Sequence, residues 1–256
     1  MNFMDLSNYP RFYIVLFLRY SIVAGLAFIV FYILFSNKFS RIKIQKSFPK
    51  VTDYTREVFY SLLSMGIIAL CIFMVRSPHI KPHTRFYWSV SDYGWPYLIL
   101  SVLLALLIHD TYFYWTHRLM HHPKLFKLFH LVHHRSTNPS PWAAYSFHPL
   151  EAVIEGLAVW VIVFTIPIHP IALASFGLLM IVYNVYGHLG YEIYPQWLVN
   201  SRIGRWLNTS TNHNMHHKYF NDNYGLYFRF WDEIMKTTHP KYEETVREIV
   251  GNQKPL

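Results

Sequence analysis

Five long apolar runs constrain this 256-residue chain more than any other feature. They extend from Tyr13 to Phe35, Val58 to Val75, Trp95 to Ile108, Ala152 to Ile168 and Ile171 to Val185. About 20 apolar residues cross the hydrocarbon of a bilayer, and a crossing backbone satisfies its polar groups only as a helix or a closed barrel. The runs are continuous rather than alternating, so they predict an all-α integral membrane fold with four to five spans. Only Arg19 interrupts the first run. That run is too long for a signal peptide, follows Asp5, and has no small-residue cleavage site after it. Pro167, His169 and Pro170 divide the last two runs as a tight turn. That pair either crosses fully or dips in as a re-entrant hairpin. Charged residues make up 14% of the chain, against about 25% in soluble domains. No linker or tandem repeat is visible, so the expectation is one domain over 1–256, with N-terminal spans in 1–94.

Charge fixes the orientation. Lys38, Arg41, Lys43, Lys46, Lys50 and Arg56 lie between the first two spans, which predicts a cytoplasmic loop. The next loop carries only Arg76, Lys81 and Arg85 and should face the other side. The third span then returns to the cytoplasm, and so does the last, where eight more lysines and arginines follow. The net charge of +9 flanks apolar spans. That distribution suits anionic headgroups or an acidic protein partner and argues against nucleic acid. A single cysteine, Cys71, excludes an intrachain disulfide framework and a cysteine-based metal site.

The cytoplasmic ends of the spans carry an unusual concentration of histidine: His117-x3-His121, His130-x2-His133-His134 and His213-x2-His216-His217. On a helix, positions three and four apart share a face, so each cluster is expected to present its imidazoles together. Neutral imidazole is the commonest transition-metal ligand. With His188, just after the fifth run, there are nine candidates. A closed zinc site needs four, so nine fit two ions, each with an open position. Iron gives such a nitrogen-rich, open site an oxygen chemistry, and zinc is a redox-silent substitute in purified protein. His79, His83 and His169 fall on the opposite side and receive no metal role. His122, His148, Glu192 and Asp110 are candidates for a further ligand or for orienting one. His109 reads as a membrane-interface histidine.

These residues resemble a known family. "DTYFYWTHRLMHH", "LFHLVHHRS", "SFHPLE" and "NHNMHHKYFNDNYGLYFRFWD" are similar to the fatty acid hydroxylase/sterol desaturase superfamily over roughly residues 95–240. "FHP", "NYG" and "WD" are most similar to members of the C-5 sterol desaturase type, bacterial ones included. The resemblance implies a catalytic region at 95–240 and metal ligation by His117, His121, His130, His133, His134, His188, His213, His216 and His217. It implies a di-iron enzyme of the endoplasmic reticulum or a bacterial inner membrane that uses O2 to hydroxylate or desaturate a lipid. Two positions depart from the pattern: Lys236 precedes Thr237 where relatives often have glycine, and Glu192 stands where some have a second histidine.

No flavin, haem or iron–sulfur motif is present, so electrons are expected from a separate carrier such as cytochrome b5 or ferredoxin, drawn to the basic face. Tyr112, Tyr114, Trp115, Phe126 and Phe129 either line a lipid slot or form an interfacial aromatic belt. The alternative reading is non-enzymatic: a histidine-lined divalent-metal transporter or membrane metal-binding protein. Transporter sites sit near the bilayer midplane on broken helices, whereas these clusters lie beyond the span ends.

Overall fold

The computed structural model describes residues 6–253, which are helical and loop throughout, without a strand. Helix α1 spans Tyr9–Phe28 and continues as a π-helical stretch, Ile29–Leu34. Helix α2 spans Val51–Val75, and the Asp53 carboxylate accepts the Lys50 N–H at its start. Helix α3 runs Gly94–Met120 without a break. Short helices α4 (Pro123–Phe129) and α5 (Leu131–His134) follow it. Helices α6 (Pro149–Thr165) and α7 (Pro170–Gly187) form an antiparallel hairpin. The rest is a cap of short helices: α8 (Gln196–Val199), α9 (Ser210–Tyr219), α10 (Phe230–Met235) and α11 (Tyr242–Gly251).

The protein is an integral membrane protein. Among the described residues, four helices are long and apolar enough to cross: Tyr9–Leu34, Val51–Val75, Gly94–Met120 and Pro170–Gly187. Helix α6, at 17 residues, is shorter but packs along α2 and α3. Gly156 permits its close approach to α2, since a Cβ there would lie 2.8 Å from Cys71 Sγ. The expected four-to-five-span architecture is therefore borne out. The apolar runs understated the helices at polar ends, where α2 starts seven residues before Val58 and α3 continues twelve past Ile108.

Chain direction follows from contacts at the two ends of the bundle. Tyr9 donates to the Gly66 carbonyl, and Arg76 lies over the Phe12 ring. Phe86 bridges to Ile168 in the α6–α7 turn. At the other end, Tyr32 donates to the Leu189 carbonyl, and Ser61 to that of Trp142. So α1, α3 and α7 run toward one end, and α2 and α6 run away from it. Both the segment between α3 and α6 and the segment after α7 emerge at that end and make the cap.

Three helix starts share one device. His122, His148 and His169 each precede a proline, and each Nδ1 accepts the N–H two residues on; His239 does the same in the turn before α11. Proline has no N–H to satisfy at the first helical position, and the imidazole takes one of the remaining free donors.

Candidate metal centre

The cap gathers all nine clustered histidines. His117 is on the last turn of α3, and His121 is its C-cap. His130 precedes α5, and His133 and His134 end it. His188 is the C-cap of α7. His213, His216 and His217 lie on α9, whose N-terminus is capped by the Thr209 hydroxyl. Eight of the nine are buried, and His121 alone is half-buried.

The imidazoles form two groups. One holds His117, His121, His130, His134 and His216; the other holds His133, His188, His213 and His217. Within each group the ligand atoms lie within 4.8 Å of one another. His117 and His121 stay together as expected, but for the other two clusters the expectation that each presents its histidines together is corrected. In both HxxHH motifs the first and last histidines enter one group and the middle one enters the other. The helix explains it: at 100° per residue, position i+4 sits about 40° to one side of i, and i+3 about 60° to the other. Two points placed side by side under such a helix each capture part of the motif. The two motifs do so reciprocally, so neither group is complete without both.

In the group of four, His188 Nε2 lies 3.3 Å from His133 Nε2, 3.0 Å from His213 Nε2 and 3.2 Å from His217 Nε2. His213 and His217 Nε2 are 3.2 Å apart. Nitrogens about 3.2 Å apart at the corners of a tetrahedron lie about 2 Å from its centre, the length of a metal–imidazole bond. In the group of five, the Nε2 atoms of His117, His121, His130, His134 and His216 are buried without a hydrogen-bond partner among the described residues.

The opposite ring nitrogens explain which way the lone pairs point. His117 Nδ1 donates to the Tyr224 carbonyl at 2.9 Å, His216 Nδ1 to that of Asp222 at 2.6 Å, and His188 Nδ1 to that of Asn184 at 2.8 Å. His133 Nδ1 reaches the Ser146 carbonyl at 3.3 Å. His130 Nδ1 meets the buried Glu151 carboxylate at 2.6 Å. A hydrogen bond from Nδ1 fixes the tautomer and leaves the Nε2 lone pair facing inward. Neutral lone pairs packed 3 Å apart repel unless a cation lies between them. Protonation is not the remedy, because burial holds His130, His133, His134, His213, His216 and His217 well below the usual imidazole range and His188 at about 4. A metal cation satisfies what a proton cannot, so the donor set fits metal binding, iron included.

The remaining candidates sit outside both groups. His122 and His148 are the helix caps described above. Asp110 accepts the N–H groups of Tyr227 and Phe228, and Glu192 accepts Thr211 N–H, Thr211 Oγ1, Tyr186 Oη and Tyr194 N–H. Neither carboxylate touches an imidazole; they secure the cap backbone that carries Tyr224 and α9. His109 is buried and bonds Tyr227 Oη at 2.8 Å.

Two contributors escaped sequence reasoning. Glu151 begins an apolar run that conceals it, although an acid at the edge of a span is itself a signal. The second is the Asp232 carboxylate, which accepts the N–H groups of Tyr224 and Gly225 and the Thr237 hydroxyl. It shapes the loop whose Tyr224 carbonyl holds His117. Gly225 leaves room for this, since a Cβ there would lie 2.4 Å from the Phe228 carbonyl oxygen. Lys236 has φ +55°, the left-handed conformation that favours glycine.

Below the histidines, a cavity of about 820 Å³ runs between α1, α2, α3, α6 and α7. Its lining extends along α7 from Pro170 to Asn184, about 21 Å at the helical rise. At the cap end lies Phe147, whose ring centroid is 5.1 Å from that of His133. The aromatic residues considered for a slot are elsewhere: Tyr112 donates to the Ile154 carbonyl, Tyr114 bonds Thr237, and Phe126 packs on His121 and His134. The cavity wall uses Phe73, Phe113, Phe147 and Phe176 instead.

Residues 102–237 match the family model described as fatty acid hydroxylase. The chain is 31% identical over 177 residues to a Delta(7)-sterol 5(6)-desaturase of Gibberella zeae, covering 69% of this chain and 53% of that protein. It is 31% identical over 196 residues to a Delta(7)-sterol 5(6)-desaturase of Aspergillus fumigatus, covering 69% and 60%. It is 31% identical over 183 residues to the lathosterol oxidase of Rattus norvegicus, covering 70% and 59%. The matched segments thus span little more than half the length of these relatives. No solved structure matches.

Proposed function

This chain belongs to the fatty acid hydroxylase family, and from that premise we propose that it is an O2-dependent, non-haem di-iron oxidoreductase that hydroxylates or desaturates a membrane lipid. The observation that carries the reading is the position of two imidazole groups, five and four, over the end of a lipid-sized apolar cavity. The relatives' names point to a sterol or a similarly apolar substrate. The proposed catalytic unit is 95–240, with the N-terminal spans completing the cavity.

In this reading His117, His121, His130, His134 and His216 hold one ion, and His133, His188, His213 and His217 hold the other. Two irons there would supply O2 activation and the oxidising power to take hydrogen from an unactivated C–H bond. The chain does the rest. The carbonyls of Tyr224, Asp222, Asn184 and Ser146 keep the imidazoles in one tautomer, and Glu151 makes His130 a stronger donor. The cavity desolvates the lipid and holds one carbon under the histidines, where Phe147 and Phe113 exclude water. Electrons come from a separate carrier, a cytochrome b5 or a ferredoxin, docking on the cap, where Lys124 and Lys127 are exposed. The cap faces the cytoplasm of a bacterial inner membrane or of a cell with an endoplasmic reticulum.

Lipid extracts from cells with and without the active gene test this. The expected difference is a lipid that has gained one oxygen atom or lost two hydrogens. His133→Ala and His216→Ala should abolish it while the protein stays in the membrane. Unchanged turnover by either variant would overturn the assignment.

A further inference from the structure

The cavity below the histidines has a second end, away from the cap, and cations gather there. Arg11 of α1, Arg76 at the end of α2 and Lys81 in the loop after it all line that end, and all three are exposed. Among the described residues that end of the bundle carries one further lysine or arginine, Arg85, which lies outside the lining. Cations are sparse on the non-cytoplasmic side of a membrane protein, so three of the four at one opening need a physical reason. Contacts set them side by side. The Arg76 guanidinium lies 5.6 Å from the centre of the Phe12 ring, next in the chain to Arg11. Lys81 N–H donates to the Ser77 carbonyl at 2.8 Å, which folds Lys81 back toward Arg76. Lys81 Nζ lies 4.5 Å over the Trp88 ring, and the Trp88 carbonyl accepts from His169 Nε2 at 3.1 Å, at the start of α7. Phe12 and Trp88 line the cavity as well. The rings bed the cations and leave their N–H groups free: none of the three side chains has a hydrogen bond or ion pair among the described residues. Asp92 is the one acid described at that end, and it does not line the cavity.

Charge changes character along the cavity. Arg19, deeper in α1, is engaged with the Ala174 carbonyl at 3.4 Å. Glu155, the one acid in the lining, is on α6, which starts at the cap end with Pro149. An anionic head is drawn to the far mouth and turned away from the cap end. We propose that Arg11, Arg76 and Lys81 bind the phosphate head of a lipid whose hydrocarbon chain runs inward toward the histidines. A phosphate offers three acceptor oxygens, one for each cation, and arginine matches it in two-pronged fashion. A carboxylate offers two oxygens, and the hydroxyl of a sterol offers one. From the mouth at Pro170 to Asn184 the lining runs about 21 Å, so only the far part of the chain reaches Phe147 and His133. One consequence rests on the oxidoreductase reading: the oxidised carbon lies in the half of the chain distant from the head.

Binding tests it without turnover. The full chain, in maltoside micelles that hold no phosphate, is titrated with octadecyl phosphate, octadecanoic acid and octadecanol, which differ only in the head. Octadecyl phosphate should bind tightest, about 10-fold or more above octadecanol. Arg11→Gln, Arg76→Gln and Lys81→Gln should each weaken it about 5-fold, and the triple variant about 100-fold, at unchanged metal content. Arg85→Gln, at the same end but outside the lining, should leave it unchanged. A photoreactive group at the chain terminus of octadecyl phosphate should label the segment holding Tyr145 and Phe147, and one beside the head should label Phe12 or Trp88. The proposal would be overturned by equal binding of octadecanol or octadecanoic acid, by displacement with inorganic phosphate at equal concentration, by an equal loss in Arg85→Gln, or by reversed labelling. Selective, oriented binding in a protein that takes up no iron and leaves cellular lipids unchanged would support the phosphate site and sink the oxidoreductase reading alone.

Discussion

The two imidazole groups differ in how they are held. The group of five is tethered from outside: His117 and His216 to carbonyls of the 222–224 loop, His130 to Glu151, with His121 half-buried at the edge of the cap. The group of four is closed. All its members are buried, His188 Nε2 already lies 3.0–3.3 Å from the other three Nε2 atoms, and His188 is fixed by the end of α7. One hangs from the end of α3 and reaches the edge of the cap at His121; the other is enclosed, with His188 at the end of α7. The lesson is that the groups should differ in affinity and accessibility, although each borrows one histidine from the motif that mainly serves the other.

The largest test of that contrast removes a donor from the smaller set. His188→Ala leaves three imidazoles and an empty C-cap position, and should eliminate tight binding at that group. About one ion per chain should remain by elemental analysis. His121→Ala leaves four donors in the other group and should lose far less. Equal losses would break the comparison. Next is Glu151→Gln, which keeps the shape but removes the charge on His130. Losses of 10- to 100-fold in metal affinity are typical when such a partner is removed, here confined to the group of five, as a metal titration monitored by d–d bands of cobalt would resolve.

A pH effect of middle size should follow. His121, His130, His133, His134, His188, His213, His216 and His217 are all held below the usual imidazole value by burial, His188 at about 4. Unfolded, they protonate near 6.5. The unfolded state therefore binds more protons below that value, and stability is lost as pH falls from about 6.5 toward 4. Thermal melting at pH 7.5, 6.5 and 5.5 should show a steepening decline, and a flat profile would count against the burial of the neutral rings. The smallest effect lies outside both groups. Lys236 pays the strain of a left-handed residue at the C-cap of α10, so Lys236→Gly should stabilise the cap by about 1 kcal/mol, read as a raised melting temperature with unchanged metal content.

Much of this was legible in the sequence. The spans followed from apolar length, and the nine histidines from motif spacing. What spacing concealed was the division of each motif, because residues three and four apart share a face only loosely and a helix lying over two points divides them. His122 and His148 were candidates by proximity alone; the proline after each was the readable sign of a cap. Glu151 was masked by its apolar neighbours, and Asp110 and Glu192 were read as partners of imidazoles when their partners are backbone N–H groups far along the chain. Those pairings join residues as distant as Asp110 and Tyr227, and no local pattern encodes them.

The most direct measurement is an anaerobic titration of metal-free protein with ferrous ion, followed by X-ray absorption at the iron edge. Two ions per chain, each bound mainly by imidazole nitrogen near 2.0–2.2 Å as such ligands require, would agree with the interlocked groups. A single ion, or scatter from oxygen or sulfur with the histidine rings absent, would contradict them.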